Sequence, residues 1–315
     1  MTAIIIINWN GADDTIACLE SLDRAAGDFM VVVADNGSTD NSLERITDFS
    51  SGLSIKVDVV PLGNNWGFAD GNNRAIQYAA KYKPDSYMLL NNDTEVEPDF
   101  LVRIQEYRSM HPQVKILGPM IRYWYDRDRI WSCGGKLIFG SRKPYFKNEK
   151  ASSLEDSPLA VSFISGCGLF VDSSLLNSDG RLLTDRFFFG EEDYEFALRM
   201  FRKGEKMAIV RKSTVYHKVG AATNSVSEKA TMGRHYIYYL SRLIVAREYY
   251  NHLQFLLIRL LSYRRCVKYF IADGLSAGKA RNVVRRLMKE SKTRYGVSYD
   301  DFRSLIIDGS FFDTI

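Results

Sequence analysis

Cysteine is scarce in this chain of 315 residues: four, at positions 18, 133, 167 and 266, with no CxxC pair among them. That spacing argues against a zinc site or a disulfide framework and suits a reducing compartment. Long apolar runs are missing too. No window approaches the ~20 apolar residues of a membrane span. The run Ala3-Ile4-Ile5-Ile6-Ile7 is too short for a signal peptide and no basic region precedes it, so no secretory leader is expected. Neither GxGxxG after the first apolar run nor GxxxxGKS/T occurs, which disfavours a dinucleotide dehydrogenase and a P-loop NTPase. Internal repeats and low-complexity segments are absent.

What is present is ordinary in bulk, with 46% hydrophobic and 25% charged residues. The length accommodates one large α/β domain plus an appendage, or two domains. Over the first 100 residues short apolar runs alternate with helical patterns. Strands are expected at residues 3–7, 30–34, 54–60 and 87–90, and helices at 13–22, 40–49 and 67–83. This β-α order implies a parallel sheet flanked by helices. Residues 116–171 read as strands and loops laid over that sheet. Residues 142–158 read as a charged, mobile loop, and three helices are expected after residue 232.

Three of the strands end in polar clusters: Asn8-Trp9-Asn10-Gly11, Asp35-Asn36-Gly37-Ser38 and Asn91-Asn92-Asp93. Any one is explained as a turn or a cap. Three at one sheet edge suggest a ligand site, because open α/β sheets bind ligands at the carboxyl ends of their strands. Oxygen-rich Asn91-Asn92-Asp93 suits a hard divalent cation holding a diphosphate. Pro98 closes that acidic loop and is placed to open a helix.

A second cluster, Phe187-Phe188-Phe189-Gly190-Glu191-Glu192-Asp193, sets three acids behind three aromatics. The acids suit the N-terminus of the following helix, whose apolar contacts are Phe196, residues 198–200 and Phe201. Against an apolar wall they also suit a general base, since desolvation raises a carboxyl pKa. His217 follows a strand at 206–210 and a short run at 214–216. It reads either as an ordinary buried or surface histidine or, with Asp93 and diphosphate oxygens, as a ligand of Mn²⁺ or Mg²⁺.

Charge is distributed unevenly. The net +4 divides into +8 over residues 231–315 and −4 over the rest. A basic, Tyr- and Leu-rich tail suits nucleic acid, an anionic membrane surface or a solvated helical face. Nucleic acid is set aside as partner because it leaves the acidic clusters unexplained.

In order along the chain stand Ile7-Asn8-Trp9-Asn10, residues 33–40, Asn65-Trp66-Gly67-Phe68-Ala69, Leu89-Leu90-Asn91-Asn92-Asp93, Gly166-Cys167-Gly168, Glu192-Asp193 and His217 with Gly220. Together they resemble an inverting family 2 glycosyltransferase of the GT-A fold, in its bacterial rhamnosyltransferase-like subgroup. The resemblance implies a catalytic domain over residues 1–230 and a basic helical region over 231–315. It implies a nucleotide-sugar donor, dTDP-rhamnose or a UDP-hexose such as UDP-galactose, held by Asn8, Asp35, Asn65, Gly67, Asn91, Asn92 and Asp93. A divalent cation would sit on Asp93 and His217, with Asn91 where the family's DXD-type motif has its first Asp. Asp193 would be the catalytic base, with Glu192 its neighbour and Glu191 a substitute. The acceptor would be a polyprenyl-diphosphate-linked saccharide of surface polysaccharide synthesis. The enzyme would then be cytoplasmic and peripheral on the inner face of the plasma membrane. The tail helices would lie on that surface, pack on the catalytic domain or form a homodimer contact. A nucleotidyltransferase on a related sheet is the less favoured alternative.

Overall fold

The isoleucines after Met1 are buried on both faces of a sheet. Ala3 and Ile5 join one core cluster with Val32 and Leu89, while Ile4 and Ile6 join another with Val31, Leu19 and Met88. A strand covered by helices on both sides needs no polar alternation, which is why the run is continuously apolar. The computed structural model describes residues 1–219 and 228–314, so Gly220, part of the last motif, lies outside the described residues.

In chain order the first part runs β1 (Thr2–Asn8), α1 (Ala12–Asp23), β2 (Phe29–Asp35), α2 (Ser42–Ser50), β3 (Val57–Pro61), α3 (Gly67–Ala79), β4 (Ser86–Leu90), β5 (Thr94–Val96) and α4 (Phe100–Met110). The middle contains β6 (Ile116–Tyr123), β7 (Ile130–Ser132), β8 (Gly135–Ile138), β9 (Ser141–Pro144), β10 (Leu159–Val161), β11 (Gly168–Asp172), α5 (Glu192–Arg202) and β12 (Met207–His217). The tail holds α6 (Glu228–Tyr249), α7 (His252–Ala272), α8 (Ala277–Glu290) and α9 (Tyr299–Phe302), then a wide turn at Arg303–Ile307. The sheet order is β10-β12-β6-β11-β4-β1-β2-β3. Strands β3, β2, β1 and β4 are parallel, as are β6 and β12, while β11 lies antiparallel between β4 and β6. Register sets Asn8 opposite Asp35 and Ile5 opposite Leu89, so the three polar clusters do emerge at one edge.

The middle of the chain departs from expectation. Strands β6 and β11 are inside the sheet rather than laid over it. Each is nearly free of polar residues and is buried on both faces, but glycines interrupt the pattern that would have revealed them. Residues 142–158 are not simply a loop, because β9 pairs with β8 in a hairpin anchored by Arg142. The two runs around Val210 and Thr214 form one strand, β12, with a register shift between them. Helix α4 begins at Phe100 behind Asp99 and not at Pro98, α2 begins at Ser42, and Phe201 faces solvent.

Helix α6 is a core element. Tyr236, Ile237, Leu240, Leu243 and Ile244 are all at most 1% exposed, and they share one cluster with Ile5 and Phe196. Gly233 makes this packing possible, since a Cβ there would stand 2.0 Å from the Leu305 carbonyl oxygen. The hydrophobic core therefore runs unbroken from β1 to Phe312.

Candidate active site

Two adjoining cavities of about 450 and 440 Å³ open at the strand ends. The first is lined by Trp9, Asn36, Asn65, Gly67, Asn91 and Asn92 from the sheet edge, by Phe188 and Phe189, and by Arg234 with Phe302, Ile306 and Ile307 from the tail. Asn65, Gly67, Asn91 and Asn92 are thus brought together as the motifs suggested. Asn8 and Asp35 are not on the wall. Asn8 Nδ2 donates to Asp35 Oδ2 at 2.9 Å, and Asp35 also accepts from the Ser38 amide at 3.0 Å and the Ser38 hydroxyl at 2.6 Å. Both are buried and brace the 36–38 turn from behind. Asn36, which sequence reasoning passed over, is the wall residue of that motif. Its side chain donates to Asn65 Oδ1 and the Gly67 carbonyl and accepts from the Trp66 amide. Gly67 needs to be glycine: its φ is +75°, and a Cβ would meet the Phe188 carbonyl oxygen at 2.2 Å.

The second cavity shares Phe68, Asn91, Phe189 and Arg234 with the first and adds Arg142, Gly166, Glu192, Asp193 and His217. Helix α5 points its N-terminus here, so its first-turn acids Glu192 and Asp193 face the cavity as well as the helix dipole. Burial, reinforced by the charge of Asp193, pushes Glu192 up to about 8. Burial also raises Asp193, with Arg142 pulling the other way from 3.9 Å. Glu192 Oε2 has no hydrogen-bond partner among the described residues. Gly166 keeps the gap beside the acid open, since a Cβ there would lie 3.2 Å from the Phe68 ring and 3.8 Å from Asp193 Cβ.

Glu191 is occupied elsewhere. Its Oε1 accepts from Arg142 at 2.8 Å and its Oε2 from Arg242 Nε and Nη2 at 2.9 and 2.8 Å. With both oxygens held by guanidinium groups it is no substitute base. It ties the β8–β9 hairpin, α5 and α6 into one knot.

Asp93 Oδ1 lies 3.1 Å from His217 Nε2. Burial disfavours the imidazolium, but the Cys167 sulfur and Asp93 outweigh it and push His217 up to about 10. Two neighbouring ligands of an octahedral ion, each at about 2.1 Å, sit about 3.0 Å apart. The Asp93–His217 spacing fits that, and the buried Asn91 Oδ1 nearby has no hydrogen-bond partner among the described residues. Among the described residues no group of three or more His, Cys, Asp or Glu side chains gathers. Two protein ligands are what this corner offers.

Arg234 lines both cavities without any ion-pair or hydrogen-bond partner among the described residues, and burial lowers its pKa. Neither Arg234 nor Arg142 stood out in the sequence. Each is one basic residue in an unremarkable stretch, brought to the site by long-range folding. The tail residues Phe302, Ile306 and Ile307 carry no motif either.

A mostly parallel sheet with helices on both faces and two confluent cavities at its strand ends define the class: the GT-A fold. The chain belongs to glycosyl transferase family 2, whose model matches residues 3–170. It is similar to the dTDP-rhamnosyl transferase RfbF of Shigella flexneri, 22% identical over 190 residues, 60% of either chain. It is also similar to a PGL/p-HBAD biosynthesis glycosyltransferase of Mycobacterium bovis, 30% identical over 125 residues, 38% of this chain and 47% of that one. The chain therefore spans about half to three-fifths of the length of these relatives. Among solved structures it resembles the mannosyltransferase PcManGT from Pyrobaculum calidifontis in complex with GDP-Man and Mn²⁺, with TM-score 0.58 and 14% identity, covering 100% of this chain and 80% of that one. GalNAc-T7 with UDP, GalNAc and Mn²⁺ gives TM-score 0.61 and 13% identity, covering 98% and 56%.

Proposed function

We propose that this chain is an inverting transferase that moves a sugar from a nucleotide-diphosphate donor to a saccharide hydroxyl. The observation that carries the reading is the pair of confluent cavities: a nucleotide-sized one walled by Asn36, Asn65, Phe188 and Arg234, and a second holding Glu192 and Asp193. Asp193 takes the proton of the acceptor hydroxyl. The freed oxygen forms a bond to the anomeric carbon as the bond from that carbon to the diphosphate oxygen breaks. The electron pair leaves with the nucleoside diphosphate, and one displacement inverts the carbon. Arg142 and the α5 N-terminus keep the base aimed into the cavity, and the aromatic wall excludes water. Asp93 and His217 would hold a divalent cation, Mn²⁺ or Mg²⁺, which when bound offsets charge on the diphosphate.

The similarity to the Shigella flexneri protein favours dTDP-rhamnose as donor, with a UDP-hexose as the alternative. The acceptor in this reading is a polyprenyl-diphosphate-linked saccharide presented at the inner face of the plasma membrane. The test is a thermal-shift series with nucleoside diphosphates, with and without Mn²⁺, run beside a transfer assay. Wild type is stabilised by one nucleoside diphosphate, more so with Mn²⁺. Asp193→Asn keeps that stabilisation and loses transfer by about 10²- to 10⁴-fold. Full transfer by Asp193→Asn removes it as base, and no stabilisation by any nucleoside diphosphate sinks the reading.

A further inference from the structure

Helix α7 carries an exposed stripe that the sugar-transfer site does not use. Leu253, Leu256, Leu257, Leu260 and Leu261 recur at helical spacing and are 77, 43, 48, 58 and 55% exposed. The same stripe continues into Arg264, Arg265 and Lys268, also exposed. The opposite face, with Phe255, Ile258, Cys266 and Phe270, is buried against the protein, so the packing of α7 is already satisfied. Five adjacent leucines left in water mark a contact surface.

Beside the stripe, α7 and α8 enclose a groove of about 450 Å³. Leu256, Leu260 and Met288 line it together with Arg285, Lys289 and Lys292. None of these three cations has an ion-pair partner among the described residues, whereas their neighbours Arg286 and Arg294 both pair with Glu290. An apolar ridge flanked by unpaired cations matches the boundary between anionic headgroups and acyl chains. No described helix is long and apolar enough to cross a membrane, and the arginines of α7 require it to lie flat. A second copy of the chain fits less well. Packing this face against itself brings cationic rims together with no acidic counterpart.

We propose that the leucine stripe of α7 and the basic edge of α8 form the face by which this protein lies on an anionic membrane surface. This deepens the reading of a lipid-linked acceptor by naming the surface that brings enzyme and acceptor together, and it rests on that reading only for its purpose.

The test is flotation of the full chain with vesicles of phosphatidylcholine alone and of phosphatidylcholine mixed with phosphatidylglycerol. Wild type floats with the mixed vesicles, less so as salt rises, and stays behind with the neutral ones. The double variants Leu257→Ser/Leu260→Ser and Lys289→Glu/Lys292→Glu each lower partition at least tenfold. Neither changes the melting temperature or nucleoside-diphosphate binding, because the four residues are on the surface and outside the site. Equal binding to both vesicles, or binding to neither, overturns the proposal. So does a dimer in light scattering that the leucine variant dissociates. Vesicle binding without nucleotide binding overturns the sugar-transfer reading and leaves this surface standing, and the converse result does the reverse.

Discussion

Glu192 is the residue whose burial has the plainest thermodynamic consequence. Its pKa of about 8 in the folded chain compares with about 4.3 for an ordinary glutamate. The folded state therefore binds more protons than the unfolded state between those values, and stability falls as pH climbs through that window. Glu192→Gln removes this contribution. The variant should gain stability on the order of a few kcal/mol at pH 8 and show a flatter melting temperature from pH 5 to 8. An unchanged pH profile would mean that the carboxyl is not buried and protonated. Arg234 makes the opposite case, a cation at the junction of the cavities with no ion-pair partner among the described residues. Arg234→Gln should weaken a nucleoside diphosphate by about tenfold or more, the worth of a hydrogen bond to a charged group, and leave the bare nucleoside unaffected. Calorimetry with both ligands separates the two. Asn91, Asp93, Glu192, Asp193 and His217 were legible in the sequence because they stand in short, chemically dense clusters. Arg234 and Arg142 were not, since nothing local distinguishes an arginine that crosses the fold to a site from one that faces water. The surroundings of Asp35 were not legible for a related reason. A sequence shows that a carboxylate ends a strand, not that its oxygens are already taken by Asn8 and Ser38.

Among the elements, α5 depends on how its first turn is held. Glu191 adopts a left-handed φ of 71°, an uncommon conformation for a residue with a side chain. It is kept there by Arg142 from β9 and Arg242 from α6. Removing the charge leaves buried Arg242 with no ion-pair partner among the described residues and Arg142 with only the longer pair to Asp193. Glu191→Gln should therefore destabilise the fold by about 3–5 kcal/mol, read as a lower urea midpoint. Arg242→Met added to that variant should restore part of the loss, because one of the stranded charges goes with it. Additive losses in the double variant would mean that the two residues act independently. The hairpin that delivers Arg142 was hidden for an ordinary reason. Lys, Arg and Pro crowd its second strand, and its partner is short, so charge masks a pairing that tertiary contacts make worthwhile. Strands β1, β2 and β4 were plain because burial on both faces writes short, continuously apolar runs.

At the scale of the whole molecule, the apolar cluster joining β1, α5, α6 and α8 leaves no layer along which the tail could part from the rest. Composition separated residues 231–315 by their charge, but charge lies on the surface and says nothing about what the buried side of a helix touches. Helix α6 is core, and the turns near the end of the tail close the first cavity through Phe302, Ile306 and Ile307. The chain should consequently unfold as one unit, and its own residues provide the probes. All four tryptophans, at 9, 66, 124 and 131, fall before the tail, so their fluorescence reports on the sheet. Cys266, fully buried on α7, reports on the tail when its labelling is followed by mass spectrometry. With a shared core the two curves coincide in denaturant, and a nucleoside diphosphate shifts both by the same amount, since a ligand of the native state stabilises whatever unfolds with its site. Were Cys266 to become reactive at lower denaturant than the tryptophans report, the tail would be a separate unit, and the first cavity would be only as stable as the weaker of the two.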